Sequence, residues 1–327
     1  KSPSTEEVYE VICSMDHQSA AGPDGFGGGF YQGCWECIKD DFMDAVNEFF
    51  AGAMMPRGFT STTIILLPKK EGACEWKDFR PISLSNVSSK IIFKILSTRI
   101  NQLIPKLILE FQTGFIPGRG IQDNVLLAQE LILDLDKKLR HPNVILKLDM
   151  EKAYDRVEWG FLLYMLREFG FKEGVVDLIF RLISNVWFSV LVNGELTSFF
   201  RSTRGVRQGD PLYSTLFLFV SEFLGRGLQQ LFTNTPGFRF LSKGGLVPFL
   251  AFADDMVIFT RASSECLLAV SSLLRQYEIL SGQKINLSKS RFLCSSKLHS
   301  DVINLIQQVT GFQGQSWPVK YLGVPLS

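Results

Sequence analysis

The feature that most constrains this chain is a pair of adjacent aspartates, Asp254 and Asp255, set between two apolar runs. Residues 246–252 precede the pair and residues 256–259 follow it, a pattern that predicts a β-hairpin with the acids at its tip. Neighbouring carboxylates are costly to bury unless a cation meets them. Mg²⁺ prefers a few carboxylates together with substrate phosphates, so this hairpin predicts a magnesium site.

A second acid strengthens this interpretation. Residues 144–148 form a strand-like run, and Asp149 ends it. An aspartate at the end of a buried strand presents its carboxylate at the edge of the sheet, where ligands reach it. Asp149, Asp254 and Asp255 together predict a cluster able to hold two metal ions ~3.5–4 Å apart for in-line phosphoryl transfer. Either acidic pattern alone is better explained by solvated turn residues, because such patterns recur by chance; the two together favour the metal site.

Composition limits the class of protein. The chain has 327 residues, 46% hydrophobic and 20% charged, which is typical of a globular protein with about two domains. Its net charge of +1 lacks the basic excess usual in nucleic-acid binders, so local clusters must carry any such binding. No apolar run reaches the ~20 residues of a membrane span, and no signal-peptide pattern is found. Since the chain begins without Met, we expect a segment of a longer polypeptide.

Cysteine usage gives little sign of a metal or disulfide framework. Cys34 and Cys37 have the spacing of half a zinc site, but no second Cys or His pair stands at ligand spacing. We therefore expect all six cysteines to be small buried hydrophobes.

Hydrophobic periodicity predicts a mixed α and β chain with a change of pattern near residues 125–142. The predicted helices are residues 4–16, 35–50, 88–107, 121–139, 157–169, 173–186, 210–232 and 263–281. The predicted strands are residues 62–67, 144–148, 188–193, 199–204, 238–240, 244–259 as a hairpin, and 319–324. The second part therefore predicts a mixed sheet backed by helices, with acids at the strand ends.

Basic and glycine-containing elements offer partners for phosphates. Lys69 and Arg80 flank a short predicted hairpin and suit a triphosphate, although a solvated basic edge explains them at least as well. Asp210 and a following proline start a helix, which leaves Gln208 and Gly209 to be explained by a ligand that approaches the backbone.

Two further residues have competing explanations. Lys289 lies in a predicted loop after a helix, where an exposed lysine is the default. Tyr154 lies five residues after Asp149, and its ring either walls the acidic site or packs in the core.

Nine short motifs occur in an order that resembles the reverse transcriptase domain of a plant-type non-LTR (LINE-type) retrotransposon. They are AGPDG at 21–25, LPK at 67–69, FRPISL at 79–84, QTGF at 112–115, LDMEKAYD at 148–155, RQGDPL at 207–212, FADD at 252–255, SGQKIN at 281–286 with KS at 289–290, and YLG at 321–323. Each motif alone is weak, whereas the ordered set covers nearly the whole chain and is very specific.

The resemblance implies an α+β right-hand polymerase fold. Residues 1–125 would form the fingers, and residues 126–327 a palm with a mixed, largely antiparallel sheet that ends at the primer grip, without a thumb. It implies RNA-directed DNA synthesis with an RNA template, a DNA primer, dNTPs and two Mg²⁺ ions, which Mn²⁺ can replace. It also implies a nuclear location, and no membrane partner is expected.

The resemblance assigns roles to residues at the matching motif positions. They are metal ligands and catalytic carboxylates at Asp149, Asp254 and Asp255; a proton donor to pyrophosphate at Lys289; nucleotide contacts at Lys69, Arg80, Gln208 and Gly209; a gate against the ribose 2′-hydroxyl at Tyr154; and a primer grip at Tyr321, Leu322 and Gly323.

Two departures from the family pattern favour an alternative. Tyr213 replaces a small residue early in a helix, where it either crowds the template or points away, and Pro248 removes a backbone donor near the hairpin. The alternative is a catalytically decayed remnant that only binds nucleic acid. A group II intron maturase also shares the palm, but the contexts of residues 22–25 and 321–323 favour the LINE type.

Overall fold

Twelve α-helices, one short 3-10 helix (Trp76–Asp78) and twelve strands lie within the described residues of this computed structural model, which are 1–207, 211–243, 245–315 and 318–326. The helices are α1 (Thr5–Cys13), α2 (Gly28–Gly33), α3 (Trp35–Ala51), α4 (Arg57–Thr60), α5 (Val87–Asn101), α6 (Ile104–Leu107), α7 (Ile121–Ile132), α8 (Trp159–Glu168), α9 (Glu173–Ser184), α10 (Pro211–Asn234), α11 (Ser264–Ser281) and α12 (Ser300–Thr310). The strands are β1 (Ser61–Pro68), β2 (Phe79–Ser85), β3 (Asn143–Leu148), β4 (Trp187–Val192), β5 (Glu195–Leu196), β6 (Phe200–Arg201), β7 (Phe249–Phe252), β8 (Asp255–Arg261), β9 (Arg291–Leu293), β10 (Gln313–Gly314), β11 (Val319–Tyr321) and β12 (Val324–Leu326). The α+β class is confirmed.

The chain divides into two compact units that are each discontinuous in sequence. Unit 1 comprises Lys1–Gln102 and Leu166–Ser214, and unit 2 comprises Leu103–Met165 and Thr215–Ser327. The fingers and palm, with a boundary after residue 125, stay a prediction under this division.

Unit 1 contains a five-stranded sheet in which β1 is central. β2 pairs with β1 antiparallel, β4 pairs with β1 parallel, and the short strands β5 and β6 both pair with β4. Parallel strands need a long connection between them, and more than a hundred residues of chain separate β1 from β4.

Unit 2 contains the sheet that carries the predicted acids, in the order β10-β9-β3-β8-β7. β3 is its middle strand, and it pairs antiparallel with both β8 and β9. Its apolar side chains are buried, and Ile145 packs in a core cluster with residues of α7 on one face of the sheet. The core cluster on that face comprises Val125, Ala128, Leu131, Ile132, Leu135, Ile145, Phe240, Val247, Leu250, Val257, Phe259, Leu293, Val319 and Tyr321.

Helix starts follow the predicted capping chemistry. Ser4 Oγ accepts the N–H of Glu7 at 3.2 Å at the start of α1. Ser263 Oγ likewise accepts the N–H of Cys266 at 3.2 Å at the start of α11. Each hydroxyl satisfies a backbone donor that the first helical turn leaves free.

Two predicted helices are too long. The helix predicted over 88–107 breaks after Asn101, because Pro105 cannot continue α5 and instead lies in the first turn of α6. The helix predicted over 121–139 ends at Ile132, and the Asp134 carboxylate accepts hydrogen bonds from Ser242 Oγ and the N–H of Lys243, both at 2.7 Å. Residues distant in sequence therefore decide where α7 ends.

Four strand predictions differ from the structure. The strand predicted over 199–204 is limited to Phe200–Arg201. Residues 238–240 form no strand; Phe238 and Phe240 insert buried rings into the core from a loop. Gly244, the predicted start of the strand before the acids, lies outside the described residues, and β7 begins at Phe249. The strand predicted over 319–324 is a hairpin, because Leu322 and Gly323 have positive φ angles of 49° and 83° and turn the chain.

The cysteines are less buried than expected. All six are free thiols, but Cys13, Cys37 and Cys74 are exposed and Cys266 alone of the six is fully buried. The described helices include none with the length and apolar character needed to span a bilayer.

Candidate active site

The two adjacent aspartates lie at the tip of the hairpin formed by β7 and β8. Phe252 and Asp255 are the last paired residues of the two strands, so Ala253 and Asp254 form a two-residue turn. Ala253 has a φ of 57°, in the left-handed region that residues with a side chain rarely adopt. The predicted hairpin is confirmed, and its turn carries the acids.

Asp149 directly follows Leu148, the last residue of β3, which pairs with Met256 of β8, so one further step of the register leads to Asp149 and Asp255. Its backbone is held from both sides: the N–H donates to Ser290 Oγ at 3.1 Å, and the carbonyl accepts from the N–H of Asn286 at 2.8 Å. The Asp149 side chain stays 35% exposed. The backbone is thus fixed while the carboxylate remains open to a ligand.

The three carboxylates influence one another electrostatically. Burial, and then the negative charge of Asp149, raises the pKa of Asp254. Burial raises the pKa of Asp255, with further contributions from Asp254 and Asp149, while Lys147 acts in the opposite direction. The acids are therefore close enough to repel one another, and a cation would relieve that repulsion.

Two lysines border this acidic edge. Lys289 Nζ lies 4.0 Å from Asp149 Oδ1 and is 68% exposed, so the predicted loop lysine does reach a predicted metal ligand. Lys147 lies two residues before Asp149 on the same face of β3, and its Nζ donates to the carbonyl of Lys320 in β11 at 2.8 Å. Lys147 therefore links the acidic sheet to the β11–β12 hairpin.

Carboxylate oxygens at this edge suit a hard divalent cation such as Mg²⁺ or Mn²⁺. Burial, and after it the charge of neighbouring aspartates, raises the pKa values of Asp254 and Asp255, and such a cation would favour their ionised forms. With the side chains as they stand, no three His, Cys, Asp or Glu side chains within the described ranges are grouped to hold a metal ion. The donor chemistry fits the cation, whereas the predicted three-carboxylate cluster is not formed by the described side chains.

Tyr154 packs in the interior of unit 2. Its ring stacks on Phe217 with centroids 4.7 Å apart and planes inclined by 28°, and 8% of the residue is exposed. Of the two sequence-based explanations, core packing describes this conformation. The gate against a ribose hydroxyl stays a prediction.

The predicted nucleotide-binding cations lie in unit 1. Lys69 follows β1, and its Nζ donates to the carbonyl of Lys77 at 2.7 Å. Arg80 is an exposed residue of β2. Gln208 and Gly209 lie outside the described residues.

Tyr213, a departure from the family pattern, is buried in unit 1. It is 1% exposed, its ring centroid lies 5.2 Å from that of Phe93, and its hydroxyl accepts from Arg207 Nη2 at 3.1 Å. Arg207 also donates to Thr62 Oγ1 at 2.8 Å and to Ser85 Oγ. The tyrosine therefore belongs to a polar network around a buried guanidinium, and these contacts lie inside unit 1.

Pro248, the other departure, lies directly before β7 and costs the sheet no hydrogen bond there. Its carbonyl accepts from the N–H of Phe259 at 2.9 Å. Proline is tolerated at this position because the pairing uses its acceptor and not the donor that it lacks.

The predicted primer-grip residues form the tip of the β11–β12 hairpin. Tyr321 is 1% exposed and belongs to the core cluster, and burial raises the pKa of its hydroxyl. Leu322 and Gly323 form the turn. Contact with a primer stays a prediction.

Three residues that hold the acidic edge were missed by residue-level reasoning. They are Gln112, Lys147 and Ser290. Gln112 and Ser290 do occur within the ordered motifs, which was their only signal, because their partners lie about 140 positions away in sequence.

A family model described as reverse transcriptase (RNA-dependent DNA polymerase) matches residues 67–326 of this chain. The chain is 30% identical over 329 residues to the transposon TX1 uncharacterized 149 kDa protein of Xenopus laevis, a match that covers 98% of this chain and 24% of that protein. It is 31% identical over 255 residues to the Pol polyprotein from a type-1 retrotransposable element R2 of Nasonia vitripennis, covering 78% of this chain and 23% of that protein. The chain thus spans about a quarter of the length of these relatives.

Among solved structures, the chain is similar to apo telomerase from Candida tropicalis. The TM-score is 0.51 at 16% identity, and the match covers 82% of this chain and 56% of the telomerase chain. At this level of identity, the likeness shows a shared fold.

Proposed function

This chain belongs to the reverse transcriptase (RNA-dependent DNA polymerase) family, with LINE-like relatives, and on that premise we propose that it catalyses RNA-directed DNA synthesis for a non-LTR retroelement. The proposed reaction joins a primer 3′-hydroxyl to the α-phosphate of a dNTP and releases pyrophosphate. The proposed partners are an RNA template, a DNA primer and dNTPs, and the proposed location is the nucleus. The plant type of the element stays a prediction.

One observation carries the proposal: Asp149 directly follows β3, and Asp255 begins β8, the strand paired with β3, next to Asp254 in the turn. The residues come from two segments more than a hundred positions apart, and burial and mutual repulsion raise the pKa values of Asp254 and Asp255. Three carboxylates brought to the same end of a sheet concentrate negative charge there. Such a site suits a reaction in which divalent cations and phosphates must be held together.

Asp149, Asp254 and Asp255 are the residues proposed to hold two divalent cations, Mg²⁺ or Mn²⁺. When bound, these cations would make the primer 3′-hydroxyl more acidic and neutralise charge on the triphosphate. Lys289, which reaches Asp149, is the proposed proton donor to the departing pyrophosphate.

The remaining predicted residues are proposed to position the substrates. Lys69 and Arg80 bind the triphosphate, and Gln208 and Gly209 support the nucleotide and template. Tyr154 excludes a ribose 2′-hydroxyl. The primer grip is formed by residues 321–323. Enzymes of this chemistry work mainly by positioning and electrostatic stabilisation, so these contacts would account for most of the rate.

The test is Mg²⁺-dependent incorporation of dTTP on poly(rA)/oligo(dT) by the full chain and by two variants. Asp254→Asn removes one proposed metal ligand with little change in size. Asp41→Asn makes the same substitution at an exposed position of α3 and serves as the matched control. We expect extension by the unmodified chain and by the control, and a loss of about 10³-fold with Asp254→Asn.

The decayed-remnant alternative predicts a different result. A chain that is folded by circular dichroism and binds primer–template, yet extends nothing, would support that alternative. Tyr213→Ser would then show whether the tyrosine is the defect; because Tyr213 is buried within unit 1, we expect this variant to lose stability and not to gain activity.

A further inference from the structure

The Ala253–Asp254 turn, which leads into Asp255, adopts a backbone conformation that its own sequence does not favour. Ala253 is left-handed with a φ of 57°, although alanine carries a Cβ and is not a usual residue at such positions. A conformation of this kind persists when surrounding contacts determine it. The question is which residue determines it here.

Gln112 makes these contacts. Its Oε1 accepts the N–H of Ala253 at 2.9 Å, and its Nε2 donates to the Ala253 carbonyl at 3.1 Å. The same Oε1 accepts the N–H of Gly114 at 2.9 Å. One side-chain amide thus satisfies both backbone groups of the left-handed residue.

The orientation of this amide follows from its partners. Two backbone N–H groups can only donate, so the atom that faces them is the oxygen, and the carbonyl of Ala253 then faces the nitrogen. Gln112 is 3% exposed, so water does not easily replace these bonds. We refer to these two hydrogen bonds between the buried Gln112 amide and the backbone of Ala253 as the Gln112 clamp.

The segment around Gln112 is held against β7 by backbone bonds. The N–H of Ala251 donates to the carbonyl of Phe111 at 2.9 Å, and the N–H of Thr113 donates to the carbonyl of Ala251 at 2.9 Å. Gly114 approaches so closely that a Cβ there would lie 2.3 Å from the backbone nitrogen of Ala253. A glycine is therefore required for the clamp to reach the turn.

Arg119 fixes this segment from its other side. Its Nη1 donates to the carbonyls of Leu109 and Gln112 at 2.6 and 2.7 Å, and its Nη2 donates to those of Pro105 and Ile108 at 3.2 and 3.0 Å. The segment that carries Gln112 is thus itself stabilised by hydrogen bonds from one arginine to four backbone carbonyls.

We propose that Gln112 is a positioning residue for the catalytic centre: it holds Ala253 left-handed and thereby sets the direction of Asp254 and Asp255. This role rests on the proposed polymerase function for its kinetic consequence. Its structural consequence does not depend on activity. Loss of the amide releases the turn, and both acids lose their fixed relation to Asp149.

The kinetic test compares Gln112→Ala and Gln112→Asn with the unmodified chain in single-nucleotide incorporation. We expect kcat to fall by about 10²-fold in Gln112→Ala, because misplacement of reacting groups by about 1 Å has effects of this size. The KM for dTTP should change by less than about threefold, because Gln112 touches the turn and not the nucleotide. The kcat of Gln112→Asn should also fall, since asparagine is one methylene too short to reach both the N–H and the carbonyl of Ala253.

Rescue separates the clamp from general loss of packing. Ala253→Gly removes the Cβ that disfavours the left-handed conformation, so it should restore kcat several-fold in the Gln112→Ala background. Lost packing alone would not be repaired by removing a further methyl group.

Amide exchange measured by NMR on protein labelled with ¹⁵N-alanine and ¹⁵N-glycine tests the clamp without any activity. Gln112→Ala should accelerate exchange at Ala253 and Gly114. Gln283→Ala, the matched control, removes another buried amide of unit 2 that donates to the Ala153 carbonyl at 2.7 Å, and it should leave those two sites unchanged.

The outcomes distinguish the two proposals. If the unmodified chain is inactive, the proposed function fails, and exchange at Ala253 alone decides the clamp. Unchanged kcat in an active Gln112→Ala protein overturns the positioning role, and unchanged exchange overturns the clamp. If Gln112→Ala does not fold, the smaller change Gln112→Asn carries both measurements.

Discussion

The turn that carries Asp254 and leads into Asp255 in unit 2 differs from the tip of the β1–β2 hairpin in unit 1 in how charged side chains are held in place. In the turn, the backbone of Ala253 is held by Gln112, and burial raises the pKa values of both acids. At the hairpin tip, the charged side chains pair with one another: Lys70 Nζ lies 2.8 Å from Asp78 Oδ1. The acids are fixed by backbone geometry, whereas Lys70 is an exposed, long side chain that reaches a buried partner, Asp78.

This difference indicates how each region can contribute to function. Acids set by a rigid turn keep one arrangement at the cost of repulsion, which suits groups that must meet reacting atoms. Lysines on long stems can exchange a neighbouring carboxylate or carbonyl for a phosphate at little cost. We therefore expect substitutions in the turn to lower kcat, and substitutions at the hairpin tip to raise KM.

The largest effect is expected from Asp149→Asn, which removes the acid opposite the turn. The kcat for dTTP incorporation should fall about 10³-fold, while the hydrogen bonds of its backbone to Ser290 and Asn286 keep the chain folded. Asp136→Asn, at a half-exposed acid of the same unit, is the control. Retention of a tenth of the rate or more would show that Asp149 is dispensable.

The next effect concerns a second buried acid, Glu222. It is 2% exposed, accepts the N–H of Leu109 at 3.1 Å and pairs with Arg226, yet burial raises its pKa from 4.5 to about 7. Because the folded state holds this proton more tightly, the free energy of unfolding should decrease as pH rises from 4.5 to 7 and then level off. This ionisation should account for about 3 kcal/mol.

Glu222→Gln tests that sign, since glutamine keeps an acceptor for Leu109 and cannot ionise. The stability of the variant relative to the unmodified chain should increase between pH 5 and pH 8, measured by urea unfolding at each pH. A constant difference across this range would mean that Glu222 is already ionised at pH 5 in the folded state.

Much of this contrast could be predicted from local sequence. Apolar runs ending in acids identified β3, the β7–β8 hairpin and the three carboxylates, because strand periodicity and turn chemistry are local signals. The clamp could not be predicted, since Gln112 and Ala253 are 141 positions apart and a buried glutamine has no periodic signature. The orientation of Tyr213 could not be predicted for the same reason. Its hydroxyl accepts a hydrogen bond from Arg207, whose guanidinium is held by Thr62 in β1 and Ser85 in β2, far away in sequence.

A smaller effect is expected from Lys69→Ala in unit 1. Its ammonium now donates to the carbonyl of Lys77, which a phosphate could replace. The KM for dTTP should rise about tenfold, the size of one charge-assisted contact, with a smaller change in kcat. Lys39→Ala in α3, where an exposed lysine pairs with Glu36, is the control for loss of one positive charge. A fall in kcat with unchanged KM would mean that Lys69 acts in the chemical step, as proposed for the acids, and would contradict the expected difference between the two regions.

The smallest effect is expected from Lys70→Ala. Lys70 lowers the pKa of Asp78, but it is 60% exposed, and Asp78 also accepts the N–H groups of Cys74 and Glu75. The lowered pKa means that Asp78 favours the folded state above pH 3.8, and that this contribution disappears as pH falls through its folded pKa. At neutral pH the thermal midpoint of Lys70→Ala should match that of the unmodified chain, whereas Asp78→Ala, which also removes the acceptor for two backbone donors, should lower it measurably. Equal losses in the two variants would mean that the ion pair, and not the backbone bonds, holds the hairpin tip, and the two regions would then differ less than their geometry indicates.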